Sequence, residues 1–322
     1  MRFRHSVLVT VDNFAGVFKY LLYRVITGIV FFSLIYVVLR LSLSFIVDSA
    51  EVAAIKELIR DIVTSIFSGN AQHLADLQEQ GVFSEAIGNL GRLVVSGGGA
   101  IAGAVVGVCL IYLVARIVDG LATFALATML NDRMSICART PFSSAFFKSA
   151  GRGILYELIY VPMSFVYDAA TLGFCYLIFF YLRGLVFGSG LFVVLVSLSL
   201  TILSFVLSEA LKMTLISAWI PAMLADNEGV TKALRRSFCA RHAFETRFVC
   251  FVTAIFIIIV ANIAFGVFTF GSALLITVPL SFLFTLSIQF VFYYHETGRK
   301  YFVSAGEVVS TEETKIEEKT QI

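Results

Sequence analysis

The residues with the capacity for chemistry are the ionisable ones that interrupt long apolar runs: Arg40, Arg116, Asp119, Glu157, Asp168, Glu209 and Lys212, with Gln289 as a deep amide. A charge at the centre of a lipid layer costs about 2.5–3.5 kcal/mol even on insertion scales, so each needs a partner or a task such as ion or proton transfer. Glu157 and Asp168 stand eleven residues apart and share one helix face, with Pro162 between them. Arg40 follows Arg24 by sixteen residues, and Asp168 follows Arg152 by sixteen. If both helices rise from the same surface, each residue sits about 24 Å along its helix. That spacing predicts an Arg40–Asp168 pair in the outer part of a bundle. The alternative is an Arg40 that snorkels to the outer interface and an Asp168 that faces a small water pocket. Arg116 and Asp119 match Glu209 and Lys212 with the signs exchanged. Crossed pairs between the two helices would satisfy these charges, and i, i+3 pairs within each helix would do so equally. With Glu157 they could line a polar cavity.

Further polar residues in apolar context are Asn262, Thr277, Ser281, Thr285 and Gln289. They suit either a solute path or interhelical hydrogen bonds of about 1 kcal/mol or less. Lys232, Arg235, Arg236 and Arg241 form a basic cluster that could attract anionic lipid headgroups, at about 1 kcal/mol per residue near the surface. The same residues also serve as a plain orientation signal. Enzymatic chemistry is the least supported class. The histidines His5, His73, His242 and His295 are scattered, and the sequence holds no HExxH, P-loop, GxSxG or dinucleotide fingerprint. Gly188-Ser189-Gly190 reads as a tight turn, and Ser144 before Lys148 as one face of a surface helix. The five cysteines include no CxxC pair and read as reduced small hydrophobes. Neither a metal nor a cofactor is expected, and a net charge of +2 gives no case for nucleic acid.

The elements that must position these residues follow from composition. The chain of 322 residues is 59% hydrophobic and only 14% charged, with a mean hydropathy of +0.91. A soluble domain carries roughly 25% charged residues. The expected fold is therefore all-α, a polytopic integral membrane protein. Apolar windows long enough to cross about 30 Å of hydrocarbon fall at 22–46, 97–128, 154–182, 190–221, 248–269 and 273–295. Lys and Arg concentrate in 1–24, 131–153, 225–247 and 298–322 and are sparse in the alternate loops, which places both termini in the cytoplasm.

Mixed basic and apolar stretches, Asn13 to Arg24, Ser143 to Arg152 and Thr231 to Arg241, precede the odd-numbered spans and read as interfacial elbow helices. Two of them share a pattern. Met129-Leu130-Asn131-Asp132 parallels Met223-Leu224-Ala225-Asp226, and Ala145, Lys148 and Ser149 parallel Ala233, Arg236 and Ser237. The implied architecture is three helical hairpins on a repeated elbow–helix–helix unit. In the external loop, Ile55, Leu58, Ile59, Ile62, Val63, Ile66 and Phe67 recur with helical period, predicting an amphipathic helix over 52–67 that caps the bundle or docks a partner. Gly99, Gly103 and Gly107 leave one stripe of the second span nearly bare, suited to close packing against another helix of the chain or of a second copy. The polar stretch 303–322 reads as a disordered cytoplasmic tail.

The last third carries a combination of features: the basic elbow Lys232 to Ser237, the turn Phe270-Gly271-Ser272, the run Thr277-Val278-Pro279, and a closing Gln289 to Tyr294. This resembles the bacterial multi-helix membrane families grouped around the membrane domain of glycerophosphoryl diester phosphodiesterases, over about a quarter of the chain. The resemblance implies a bacterial plasma-membrane protein. It carries over no catalytic residue, because phosphodiester hydrolysis in those proteins belongs to a separate soluble domain. The functional expectation is a membrane-organising or accessory protein acting through membrane lipids, a membrane-protein partner or a second copy of itself. The alternative is a small transporter with Arg40, Glu157, Asp168 and Gln289 around a cavity. The topology is testable with reporter fusions: residues 75 and 235 are expected in opposite compartments, and a shared compartment would overturn the six-span reading.

Overall fold

The computed structural model describes residues 2–68, 82–185, 191–239, 243–304 and 306–310. The chain is an all-α polytopic membrane protein. Among the described residues, six helical stretches are long and apolar enough to span a membrane. In chain order the helices are α1 (Arg2–Asp12), α2 (Ala15–Ser42), α3 (Ser44–Val47), α4 (Ala50–Ser68), α5 (Val82–Ser96), α6 (Gly98–Ile136), α7 (Phe142–Leu185), α8 (Leu191–Ile216), α9 (Trp219–Ala225), α10 (Val230–Cys239), α11 (Phe244–Phe268) and α12 (Leu274–Glu296). Strands β1 (Tyr301–Ser304) and β2 (Glu307–Val309) follow. The spans agree with the apolar windows, because in lipid a helix is the structure that satisfies every backbone group within its own segment.

Two compact units are present, one from Met1–Val25 with Ile117–Ile322 and one from Ile26–Arg116. In the smaller unit, α4 covers the predicted amphipathic helix and buries Leu58, while Ile59 and Val63 remain exposed. Helix α5, which packs on α4, was not anticipated. A Cβ at Gly97 would overlap the Phe45 ring, so the turn from α5 into α6 needs a residue without a side chain. Of the predicted glycine stripe, only Gly107 meets a neighbour: a Cβ there would lie 3.1 Å from Val38 of α2, whereas one at Gly99 or Gly103 would meet nothing.

The larger unit holds its main core at one end of the helices, where α6 and α12 finish and α2, α7 and α11 begin. Trp219 is fully buried there, its ring 4.5 Å from that of Tyr156, its Nε1 donating to the Val230 carbonyl at 2.9 Å. Tyr20, Phe124, Leu130, Met134 and Phe290 belong to the same cluster. A smaller cluster of Ala210, Phe251, Ile288 and Phe292 joins α8, α11 and α12. Helices α7 and α8 pack together, as do α8 with α11 and α11 with α12.

Two expectations are corrected by this architecture, and one element is added. The elbows are not uniformly separate helices. Asn13 to Arg24 runs into α2, and Ser143 to Arg152 is the start of the 44-residue α7, because nothing between Phe142 and the span interrupts the helix. Only the third elbow forms its own helix, α10, with Ala243 in the left-handed region at φ 57° ahead of α11. The first ten residues, assigned no element, form α1, which packs on α12 through Phe3 and Phe284, their rings 5.6 Å apart. The stretch from 303 onward is not structureless throughout. Tyr301 pairs with Val309 across an antiparallel hairpin, and Tyr301, Val303 and Val309 enter the main core. Two strands this short carry too little alternation to stand out in a sequence. Residues 311–322 lie outside the described residues.

Candidate functional site at the charged end of the bundle

Asp226 is the hub of the charged end. It follows α9, and Asn227 beyond it takes φ 58°, a left-handed position that Asn tolerates after a helix. One Asp226 oxygen, Oδ2, meets Arg236 Nη1 at 2.5 Å and accepts from the Tyr293 hydroxyl at 2.8 Å. The other, Oδ1, meets Arg299 Nη2 at 2.5 Å. Arg299 also donates to the Ala225 carbonyl at 3.0 Å, and the Arg236 guanidinium lies 5.2 Å from the centre of the Tyr293 ring. Burial alone would raise the Asp226 pKa, but the Tyr293 hydroxyl, Arg236 and Arg299 outweigh it and hold the carboxyl below the usual carboxylate range. One carboxylate thereby fastens α9, α10, α12 and the segment after α12.

Other pairs fasten the remaining elements of this end. Arg133 Nε meets Asp12 Oδ2 at 2.7 Å, joining α6 to α1. Arg24 meets Asp119 at 2.8 Å, while Tyr20 and Tyr23 hydrogen-bond Thr123 and the Val118 carbonyl, so α2 and α6 are pinned by successive contacts. Arg247, only 2% exposed, donates to Ser217 Oγ at 3.0 Å and lies 3.3 Å from Glu296. Glu157 is 3% exposed, and its carboxylate fills the space where a Cβ at Gly120 would stand.

Within the spans, Lys212 Nζ contacts Asp168 at 2.5 Å and Glu209 at 2.7 Å. Asp168 accepts in addition from Ser164 at 3.1 Å. A polar seam continues between α7 and α8, with Tyr167 and Thr171 both on Ser208 and the Cys175 thiol on the Thr201 carbonyl. Asp168 lies seventeen residues before the end of α7, about 26 Å along the helix.

These pairings redistribute the anticipated partners. Arg40 binds Asp48 at 2.8 Å, an exposed pair within its own unit, and Asp168 belongs to Lys212, not to Arg40. Asp119 is held by Arg24 instead of Lys212. Glu209 and Lys212 form the i, i+3 pair that was the alternative to the crossed arrangement, and Arg116 is partly buried in the smaller unit. Gln289 is 5% exposed in α12, its Oε1 without a hydrogen-bond partner among the described residues. Ser281 and Thr285 donate to carbonyls of their own helix, Ser281 also accepts from Asn262 of α11 at 3.5 Å, and Asn262, Thr277 and Ser281 line a mostly apolar cavity of about 350 Å³. In the basic cluster, Arg236 is engaged by Asp226 and Glu228, Lys232 lies 3.4 Å from Glu228, Arg235 is exposed, and Arg241 lies outside the described residues. Sequence reasoning passed over Asp12, Arg133, Arg247, Glu296 and Arg299 because all sit at or beyond the helix ends, where a charge looks ordinary.

The chain matches no known family model, no curated protein and no solved structure.

Two outcomes follow from these pairs. Lys212→Met leaves two carboxylates unpaired among the helices and is expected to destabilise the protein in detergent by about 3 kcal/mol. Adding Asp168→Asn and Glu209→Gln should recover much of that loss, and thermal melts in which the losses simply add would exclude the coupling. For Asp226 the folded pKa lies below the unfolded one. Its stabilisation is thus complete above the unfolded value of about 3.9 and disappears as pH falls through the folded value. Asp226→Asn should cost about 2 kcal/mol at neutral pH and flatten the acid limb of the melting-temperature profile below pH 4.

Proposed function

We propose that this chain is a bacterial plasma-membrane protein, with its charged end and both termini in the cytoplasm, that organises or assists within the membrane through lipid and protein contacts. The observation that carries this reading is the dispersal of its intramembrane charge. Within the larger unit Asp168 and Glu157 have separate surroundings: Lys212 for the first and the Gly120 backbone for the second. A transport path needs such groups to converge on one cavity. Here Asp168 ties α7 to α8 through Lys212 instead, as a scaffold would.

The exposed surface supports the same reading. Phe32, Leu34, Tyr36 and Leu41 on α2, and Phe174, Tyr176, Leu177 and Tyr181 on α7, are exposed and suited to acyl chains or to apolar faces of other membrane proteins. The bare stripe at Gly99 and Gly103 permits close approach by another helix. The resemblance of the last third to the membrane domains named above agrees with a role that needs no catalytic residue. The competing reading, a small transporter, rests on the Lys212 cluster, whose two carboxylates and one ammonium leave a net negative charge suited to a proton or a monovalent cation.

Proteoliposomes separate the two. A scaffold is expected to leave proton and small-solute flux at the level of protein-free vesicles, and to retain lipid or a membrane protein at fixed stoichiometry when purified gently. Flux that requires the protein and is lost in Asp168→Asn would establish the transporter instead.

A further inference from the structure

The repeat presents one acid–base pair in two states. In the later copy Asp226 and Arg236 are closed on each other at 2.5 Å, with Tyr293 and Arg299 completing the network. In the earlier copy the corresponding residues are Asp132 and Lys148, and the flanking positions agree in burial: Ala145 with Ala233, Ser149 with Ser237. Yet Asp132 and Lys148 do not pair. Asp132 Oδ2 accepts from Thr140 at 2.6 Å. Lys148 lines an open cavity of about 390 Å³ together with Arg152, one turn further along α7, and with Asp132, Asn131 and Asn227. Among the described residues neither Lys148 nor Arg152 has an ion-pair or hydrogen-bond partner. The volume falls within the range of about 300–1,000 Å³ typical of small-ligand sites.

Two cations against one carboxylate leave the cavity one positive charge in excess. The fork of an Arg and the point charge of a Lys at i, i+4 suit the oxygens of a phosphate. Asp132, Asn131 and Asn227 add acceptors for hydroxyl or ammonium hydrogens. Beside the cavity α7 exposes Phe147, Ile154, Leu155 and Leu158, an apolar surface at the base of a spanning helix where acyl chains would run. We propose that this cavity binds a phosphodiester headgroup, the phosphate on Lys148 and Arg152 and the headgroup's hydrogen-bond donors on Asp132 and the two Asn side chains. The proposal rests on the lipid-contact reading above and moves the lipid-binding bases from α10, where Arg236 is already engaged, to the start of α7.

The test uses the full chain purified in an uncharged detergent, titrated with dioleoyl phosphatidylglycerol, with the uncharged dioleoylglycerol and with inorganic phosphate, and followed by native mass spectrometry. The expected result is one phosphatidylglycerol bound, at least a tenfold loss of affinity in Lys148→Gln/Arg152→Gln, retention in Lys148→Arg, and no binding of dioleoylglycerol. Inorganic phosphate that binds as tightly as the lipid, with the same dependence on the two bases, identifies free phosphate as the source of the anion. Unchanged lipid occupancy in the double variant, or equal binding of dioleoylglycerol, overturns the site. Should the double variant fail to fold, acylation of the Lys148 amine in the unaltered chain decides, since phosphatidylglycerol must protect it and an absence of protection overturns the proposal. Lipid binding that depends on Lys232 and Arg235 but not on Lys148 and Arg152 would reject this cavity and keep the organising role. Solute flux in proteoliposomes would reject the role and leave the cavity standing.

Discussion

A charge withdrawn from water has to bring its counter-charge with it, and the arrangement of this protein follows from that requirement. The ion pairs do more than neutralise local charge, because most of them join different helices: Asp12 of α1 with Arg133 of α6, Arg24 of α2 with Asp119 of α6, Asp168 of α7 with Lys212 of α8, Asp226 after α9 with Arg236 of α10 and Arg299 beyond α12. In lipid the hydrophobic effect supplies no attraction between spans. Directional contacts and tight packing must then set the neighbours, and both are concentrated at one end. There Trp219 closes a core that also takes in Tyr301 of the terminal hairpin.

Sequence reasoning located the spans because a long apolar run has few other solutions, and it located the amphipathic helix α4 because its period is unbroken from Ile55 to Phe67. It found the residues of the site better than their partners. Lys212 and Glu209 were recognisable as a pair from their i, i+3 spacing, but the approach of Asp168 depends on the relative heights of α7 and α8. Those heights are set by where the elbow joins the span, and no local pattern records it. Counting upward from Arg152 placed Asp168 level with Arg40. The partner it meets is Lys212, whose long side chain reaches across from α8.

The two similar sequence stretches before α7 and α11 show how one local pattern can be put to different uses. Ala and Ser positions that face the core are buried in both, since a small side chain there lets the elbow lie close to its neighbours. The acid and base differ. In the later copy the presence of Tyr293 and Arg299 favours closure on Asp226, whereas in the earlier copy Thr140 draws Asp132 aside and leaves the two bases of α7 facing open space.

Helix α7 runs unbroken for 44 residues, about 66 Å and more than twice the thickness of a hydrocarbon layer. Its first turns carry Lys148 and Arg152, and its later turns carry Asp168 beyond Pro162. A continuous rod cannot shift at one extremity without tilting at the other, so whatever settles against its base alters the angle at which the far half leans on α8. The proline, where one backbone hydrogen bond is missing, is the natural fulcrum for that lever.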